Sequence, residues 1–393
     1  MSKEQFIEDY FVERKNTKSL KWDGMSDKFM DSDLLPLWVA DMDFKVPKEV
    51  QQALKERIDH GVFGYSIVDD SYYDAFINWQ KRRHQITVER SWIRFSTGVV
   101  NSFNYLIQGF SKVNEAVIVL APVYYPFFDA VKENQRQLVI SQLVNQDGQY
   151  TIDYEDFEAK VVKEKVKLFL FCSPQNPVGR IWRKEELETL FAICEKHDVR
   201  IIADEIHQDF IQKGKTFVSA LSVNEKYLNR LFVLTAPSKT FNLASLLHSH
   251  VVIPNRELRK AYDQFIKTIS HNPVSLMGMI ATEAAYTHGD EWLNNLNQVI
   301  DANFNLMVDL FEKNLPKAVV TNKEATYLAW IDLSRYVTRE ELTELLEKQA
   351  KVAIDYGEWF DKDSGGFIRL NLATHPEIVK KATKSIIEVL IKR

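Results

Sequence analysis

Only two cysteines, Cys172 and Cys194, occur in 393 residues. That excludes a disulfide framework. Both stand in apolar surroundings and read as reduced, buried thiols. No apolar run reaches the roughly 20 residues that a membrane-spanning helix needs. The opening Met1-Ser2-Lys3-Glu4-Gln5 carries no apolar core of a secretory signal, so a cytoplasmic protein is expected. Positive charge is not in excess. Lys and Arg number 50 against 55 Asp and Glu, a net charge of −5, which leaves no basic footprint for nucleic acid. Internal repeats, low-complexity tracts and flexible linkers are also lacking.

What the chain has in quantity is apolar mass. Hydrophobic residues make up 45% and aromatics 12%, enough for one large or two ordinary domains with a well-filled core. Residues up to about Lys45 read as irregular, with an apolar segment from Leu34 to Phe44 suited to docking on another domain or subunit. Val46-Pro47-Lys48-Glu49 opens a helix, with Pro near its start and acid in its first turn.

From Trp92 onward short apolar runs alternate with helical patterns. Trp92 to Ser96, Ala116 to Leu120, Leu138 to Leu143, Val166 to Phe171, Val199 to Ala203, Arg230 to Leu234 and His250 to Ile253 read as strands, most of them short and apolar on both faces, as in a mostly parallel sheet covered by helices. The clearest helix is Glu185 to His197, with Leu187, Leu190, Phe191 and Cys194 at i, i+3, i+4 and i+7. A long helical stretch from about Leu276 to Asn314 is placed to bridge two domains. Beyond it, Tyr327 to Ile331, Arg339 to Ala350, Phe367 to Leu372 and Pro376 to Ile391 read as strand, helix, strand, helix. That is a small α/β unit, completed by the N-terminal segment. The alternation predicts an α/β fold, whose ligands sit at the carboxyl ends of the strands.

Those ends carry the chemistry. After Trp92 to Phe95 comes Ser96-Thr97-Gly98-Val99-Val100-Asn101 and an apolar helix, a start suited to a phosphate. After Val117 to Leu120 comes Pro122-Val123-Tyr124-Tyr125-Pro126, whose rings suit a flat ligand, although packing would explain them equally well. After Leu168 to Phe171 comes Pro174-Gln175-Asn176-Pro177, which presents the Asn176 amide unless it is a simple Asn-Pro turn. After Val199 to Ala203 comes Asp204-Glu205-Ile206-His207, where an acid at the end of a buried strand is costly without a partner. This tetrapeptide is no helicase motif. The single Gly-Lys-Thr, Gly214 to Thr216, follows it, with Asp209 where a P-loop needs its first glycine. Nor do further ligands cluster with it for a metal. After Leu231 to Leu234 comes Thr235-Ala236-Pro237-Ser238-Lys239-Thr240-Phe241-Asn242. A lone lysine is ordinarily a solvated surface charge. Desolvated at a strand end, it is a Schiff-base nucleophile. The ordered set Tyr124, Asn176, Asp204, Lys239 matches what pyridoxal phosphate requires: an imine-forming amine, an acid for the pyridine nitrogen and an amide for the ring oxygen.

With these residues in view the chain resembles fold-type I pyridoxal-phosphate enzymes of the class I/II aminotransferase superfamily, and within them the cystalysin-like cystathionine β-lyases (C–S lyases). The resemblance rests on Trp38 to Phe44, Gly64-Tyr65, Gly98 to Val100, Pro122 to Phe127, Asn176 to Arg180, Asp204 to His207, Ser238 to Asn242 and Arg369 to Asn371. It implies an aspartate-aminotransferase-like α/β fold. Residues 1–50 would pack with the small domain, 51–285 would form the large cofactor-binding domain, and 286–393 the small C-terminal domain.

The resemblance further implies that Lys239 binds the cofactor covalently, Asp204 pairs with its pyridinium, and Asn176 contacts the phenolic oxygen with His207 beside it. Tyr124 would stack on the ring. Ser238, Val99 and Val100 would hold the phosphate, joined by Tyr65 of a neighbouring subunit in a homodimer. Arg369 would clamp the substrate α-carboxylate, with Ala40 and Tyr125 close by. Two departures stand beside the cofactor loops: Asn101 replaces the family's usual Pro, and Ser245 its usual Gly. His248 and His250, just beyond, could touch a substrate, but core or loop histidines are the simpler expectation. The implied activity is β-elimination from cystathionine or a cysteine S-conjugate, giving pyruvate, ammonia and a thiol. An aminotransferase is the alternative within the fold, and a regulatory binding protein the alternative of another class.

Overall fold

The structure, a computed structural model, describes residues 1–29, 31–270 and 275–392. Its centre is an eight-stranded sheet in the spatial order Ile93–Ser96, Ser249–Val252, Leu231–Thr235, Arg200–Asp204, Leu168–Cys172, Ala116–Ala121, Gln137–Gln146, Gln149–Ile152. The strands from Leu231–Thr235 to Gln137–Gln146 run parallel. Ser249–Val252 is antiparallel to both of its neighbours, and Gln149–Ile152 is antiparallel at the far edge. The apolar runs predict buried strands, and Ala116–Ala121 and Leu168–Cys172 are buried at every position.

Alternation along these strands separates two cores. Val117, Val119, Leu168, Leu170 and Ile202 pack under the helix Val99–Phe110 through Phe103, Leu106 and Ile107. Ile118, Leu120, Phe169, Phe171, Ile201 and Ala203 face the other way, onto Leu187, Leu190, Phe191 and Cys194 of the helix Lys184–Lys196. Because successive residues of a strand point to opposite faces, continuous apolar runs are what a doubly covered sheet demands.

A smaller antiparallel sheet lies beside the large one, in the order Val319–Val320, Leu328–Asp332, Phe367–Asn371, Asp355–Tyr356. The helix Pro376–Ile391 buries Val379, Ala382, Ile386 and Leu390 against it. Leu35–Pro36 pairs in parallel with Val352–Ala353, and Leu34, Leu37 and Trp38 share the core of this smaller sheet.

Three local expectations are corrected. Residues before Lys45 are not wholly irregular but hold helices at Lys3–Tyr10, Leu20–Asp23 and Met25–Phe29. They are too short to show a helical period, and tertiary packing supports them: Phe6 stacks on Tyr10 at 4.8 Å and meets Trp292 edge-on at 5.9 Å. The stretch from Leu276 to Asn314 is two helices, Leu276–His288 and Asp290–Asn314, divided at Gly289. Arg339–Ala350 begins as α-helix to Thr343 and continues as a π-helical segment, Glu344–Gln349. The edge strand Gln149–Ile152 went unread. Its signal was Asp147-Gly148, both with positive φ, a pair that favours a hairpin turn.

Gly289 is required by close approach. A Cβ there would overlap the Phe241 ring and the Ala285 carbonyl. Gly289→Ala should therefore cost about 1–3 kcal/mol through overpacking. The expected readout is a lower urea midpoint with an unchanged slope; an unaltered midpoint contradicts the close contact.

Candidate active site

Parallel strands in register bring their carboxyl ends to one level. Asp204 closes its strand between two partners, opposite Cys172 on one side and Leu234 on the other. The first neighbour leads on to Asn176. The second leads to a single helical turn, Pro237–Thr240, which carries Lys239. One strand further, the loop after Ala121 presents Tyr124. Gln175 ties this loop to its own by donating to Leu120 O and Pro122 O at 3.2 and 2.8 Å.

These elements enclose a cavity of about 260 Å³, lined by Ala40, Thr97 to Asn101, Tyr124, Cys172, Asn176, Asp204, Ile206, His207, Ser238, Lys239, Ala244 and His248. Val99 and Val100 open the helix Val99–Phe110, so their N–H groups lack intrahelical partners at the cavity wall.

The lysine and the acid are both held away from their ordinary ionisation. Lys239 Nζ donates to the Ala40 carbonyl at 2.6 Å. Desolvation lowers its pKa to about 8, against the raising effect of Asp41, while Arg369 lowers it further. Asp204 accepts the Ile206 N–H at 3.0 Å. Burial nevertheless pushes its carboxyl up to about 7, with only partial relief from that bond and from Lys239. Burial, then Lys239 and Arg369, hold the His207 imidazole well below its usual range, and its Nδ1 has no hydrogen-bond partner among the described residues. The Tyr124 phenol is raised, chiefly by desolvation. Burial disfavours the charged form of each group.

Arg369 reaches the site from the small sheet, on the strand Phe367–Asn371. Its guanidinium donates to Asn176 Oδ1 at 3.0 Å, to Trp38 O at 3.3 Å and to Asp355, and lies 4.7 Å from the centre of the Phe360 ring. Asp355 was missed by sequence reasoning. Its signal was the one that marked Asp204, an acid among apolar residues, here Ile354-Asp355-Tyr356. Tyr125 lies outside the cavity wall, edge-on to Trp359 and Phe360 at 6.1 and 5.8 Å. Tyr65 stands fully exposed on the loop after Gly61, together with Phe63 and Ile67, and does not enter this cavity. His248 and His250 are buried, both bonded through Nε2 to the Tyr72 hydroxyl, at 2.5 and 2.6 Å; the His248 ring also reaches the cavity.

The residues present fit pyridoxal phosphate. A desolvated amine suits its aldehyde. A buried carboxyl of raised pKa, facing the cavity, suits the proton of a ring nitrogen. Free N–H groups at the start of a twelve-residue helix suit its phosphate.

A large mixed sheet covered by helices, with a smaller antiparallel sheet domain beside it, makes the fold aspartate-aminotransferase-like, of fold type I. The sequence places the chain more narrowly. The family model for aminotransferase class I and II matches residues 32–386, and the chain belongs to that family. It is similar to cystathionine beta-lyase PatB of Bacillus subtilis (strain 168), with 38% identity over 360 residues, covering 91% of this chain and 93% of that protein. Among solved structures it is similar to cystalysin from Treponema denticola, which contains a pyridoxal 5′-phosphate cofactor. That match has a TM-score of 0.93 and 35% identity, and covers 97% and 98% of the two chains. It is likewise similar to the PLP-bound C-S lyase from Staphylococcus hominis complexed with L-cycloserine, with a TM-score of 0.91, 34% identity and 98% of each chain covered.

The buried acid makes stability depend on pH. Asp204 has a raised pKa when folded, so the folded, cofactor-free chain binds the extra proton between about pH 4 and 7. Its contribution is present below that window and lost as pH rises through it. Asp204→Asn should raise the melting temperature of cofactor-free protein at pH 8, and the gain should shrink at pH 5. Equal gains at both pH values would contradict the burial of an ionised group.

Proposed function

We propose that this protein is a pyridoxal-phosphate-dependent carbon–sulfur β-lyase that cleaves cystathionine or a related cysteine S-conjugate to pyruvate, ammonia and a thiol. The observation that carries the reading is Lys239, with a pKa near 8, sharing one cavity with the buried Asp204. The cystathionine β-lyase and C–S lyase names of its relatives support lyase chemistry over amino transfer. A cytoplasmic homodimer is part of the proposal. The exposed Phe63, Tyr65 and Ile67 offer a surface for a second copy, whose cofactor phosphate Tyr65 would reach.

When bound, pyridoxal phosphate draws electron density from the substrate Cα. The chain's own residues do the rest. Asp204 would keep the cofactor's ring nitrogen protonated. Asn176, with His207 beside it, would take the phenolic oxygen, and Tyr124 would stack on the ring. Ser238 and the Val99 and Val100 amides would hold the phosphate. Arg369 takes the α-carboxylate, for which its planar fork suits a paired contact, with Ala40 and Tyr125 framing the approach. Lys239 would remove the Cα proton; a pKa near 8 leaves a useful fraction unprotonated at neutral pH. Lys239 would then return that proton to the sulfur as the Cβ–S bond breaks, and water would hydrolyse the remaining three-carbon fragment to pyruvate and ammonia. A thiol with pKa near 8.5 leaves well with that assistance.

Cystathionine supplied without any keto acid should give pyruvate, ammonia and thiol in equal amounts over many turnovers. Turnover that stops after one equivalent and resumes on adding a keto acid would make the enzyme an aminotransferase. Lys239→Ala should lower turnover by about 10²–10⁴-fold, and borohydride should no longer fix the cofactor to the protein. Tyr65→Phe should weaken cofactor retention by about 1–3 kcal/mol, since a charged acceptor loses a donor. Full retention by the variant, or full activity in a monomer at assay concentration, removes Tyr65 from the proposed role.

A further inference from the structure

Arg369 does not wait for its substrate as a free cation. Asp355 stands directly opposite it in the small sheet, residue paired with residue across the strands. The two side chains form an ion pair, and each is only 3% exposed. Such a pair is weak as a stabilising device, because apolar residues of similar volume do as well or better. Its effect on charge is definite. Arg369 and Asp355 together are neutral, so a bound α-carboxylate already leaves that corner with one negative charge.

Among the described residues of this chain, the cations nearest the site are already engaged. Lys239 is committed to the reaction and, among the described residues, is the only lysine or arginine lining the cavity. Arg14 is held by Asp41 at 2.8 Å and by Asp43 at 3.3 Å, and Lys21 by Asp43 at 2.7 Å. Lys28, whose charge Asp355 also feels, sits exposed with its ammonium 4.1 Å from the centre of the Trp359 ring. At such a position solvent screens it.

We infer that Asp355 is a specificity-determining charge filter: it restricts the site to substrates whose side chain carries no net negative charge, and it rejects dicarboxylic amino acids and dicarboxylic keto acids. The inference rests on the lyase reading and deepens it. Cystathionine passes the filter because its distal end is a zwitterion of zero net charge. Aspartate and glutamate do not pass, because their second carboxylate adds negative charge near a corner whose one guanidinium Asp355 has already neutralised. Rejecting the corresponding keto acids withholds the common amino acceptors, which disfavours amino transfer.

The test is equilibrium binding to the cofactor-loaded protein, followed by the change in its visible absorption. The ligands are two amino acids that cannot lose a Cα proton, 2-methylaspartate and 2-methylalanine. Their affinity ratio cancels any general loss from a displaced Arg369, which affects both alike. In Asp355→Asn the ratio should shift toward the dicarboxylate by about tenfold or more. In Asp355→Glu, which keeps the charge, it should stay near wild type. A ratio unchanged within about twofold in Asp355→Asn, or one that shifts equally in Asp355→Glu, overturns the filter. Pyruvate release from cystathionine by the unaltered protein is measured in parallel. Its absence would defeat the lyase reading, whereas its presence beside an unshifted ratio would defeat only the role of Asp355.

Discussion

The cost of burying Asp204 is the constraint on which the rest of the site depends. A carboxylate at the end of a strand with apolar residues on both faces is unfavourable. Lys239, the nearest cation by function, gives its hydrogen bond to a backbone carbonyl instead. Each group is thereby shifted toward its neutral form, the acid to about 7 and the amine to about 8. That state suits a ligand that brings its own cationic nitrogen to the acid and its own electrophile to the amine. Perturbed titratable groups converging in one cavity are the physical mark of such a site.

Holding the pair apart requires a rigid strap. The segment from Trp38 to Phe44 places Ala40 in the cavity wall, and two asparagines grip it. Asn371 donates to Val39 O and Asp41 O, both at 2.6 Å. Asn242 donates to Met42 O and Phe44 O at 2.9 and 3.2 Å, and accepts the Met42 N–H. Between these grips the Ala40 carbonyl accepts from both Lys239 and the Tyr327 hydroxyl. Asn371 belongs to the small sheet and Asn242 follows the lysine turn, so the strap couples the cores of the large and small sheets to the Lys239 amine. The same segment carries Trp38 into one core and Met42 and Phe44 into the other. It also supplies the Trp38 carbonyl that helps to orient Arg369.

Legibility followed range. The strands around Ala116, Leu168 and Leu231 could be read because doubly covered strands need unbroken apolar runs, and the helix Lys184–Lys196 because its buried face repeats at the helical period. The short N-terminal helices could not, since Phe6 and Tyr10 gain their support from Trp292, nearly 300 positions away. The division of the long helical stretch also escaped. Gly289 is tolerated inside many helices, and only the Phe241 ring lying against it shows why it is needed there.

Local order along the chain determined the strand ends and the residue types they carry: an amine after Thr235, an acid after Ala203, an amide after Cys172, a ring after Ala121. Those positions follow from the period of a strand and from where apolar runs stop, and both are properties of neighbouring residues. Tertiary structure alone decided what the groups feel. Strand order placed Asp204 between the strands leading to Asn176 and Lys239, folding removed the water that would have kept acid and amine at their ordinary values, and antiparallel pairing in the small sheet set Asp355 against Arg369. Desolvation and cross-strand pairing depend on residues distant in sequence, and no local pattern encodes them.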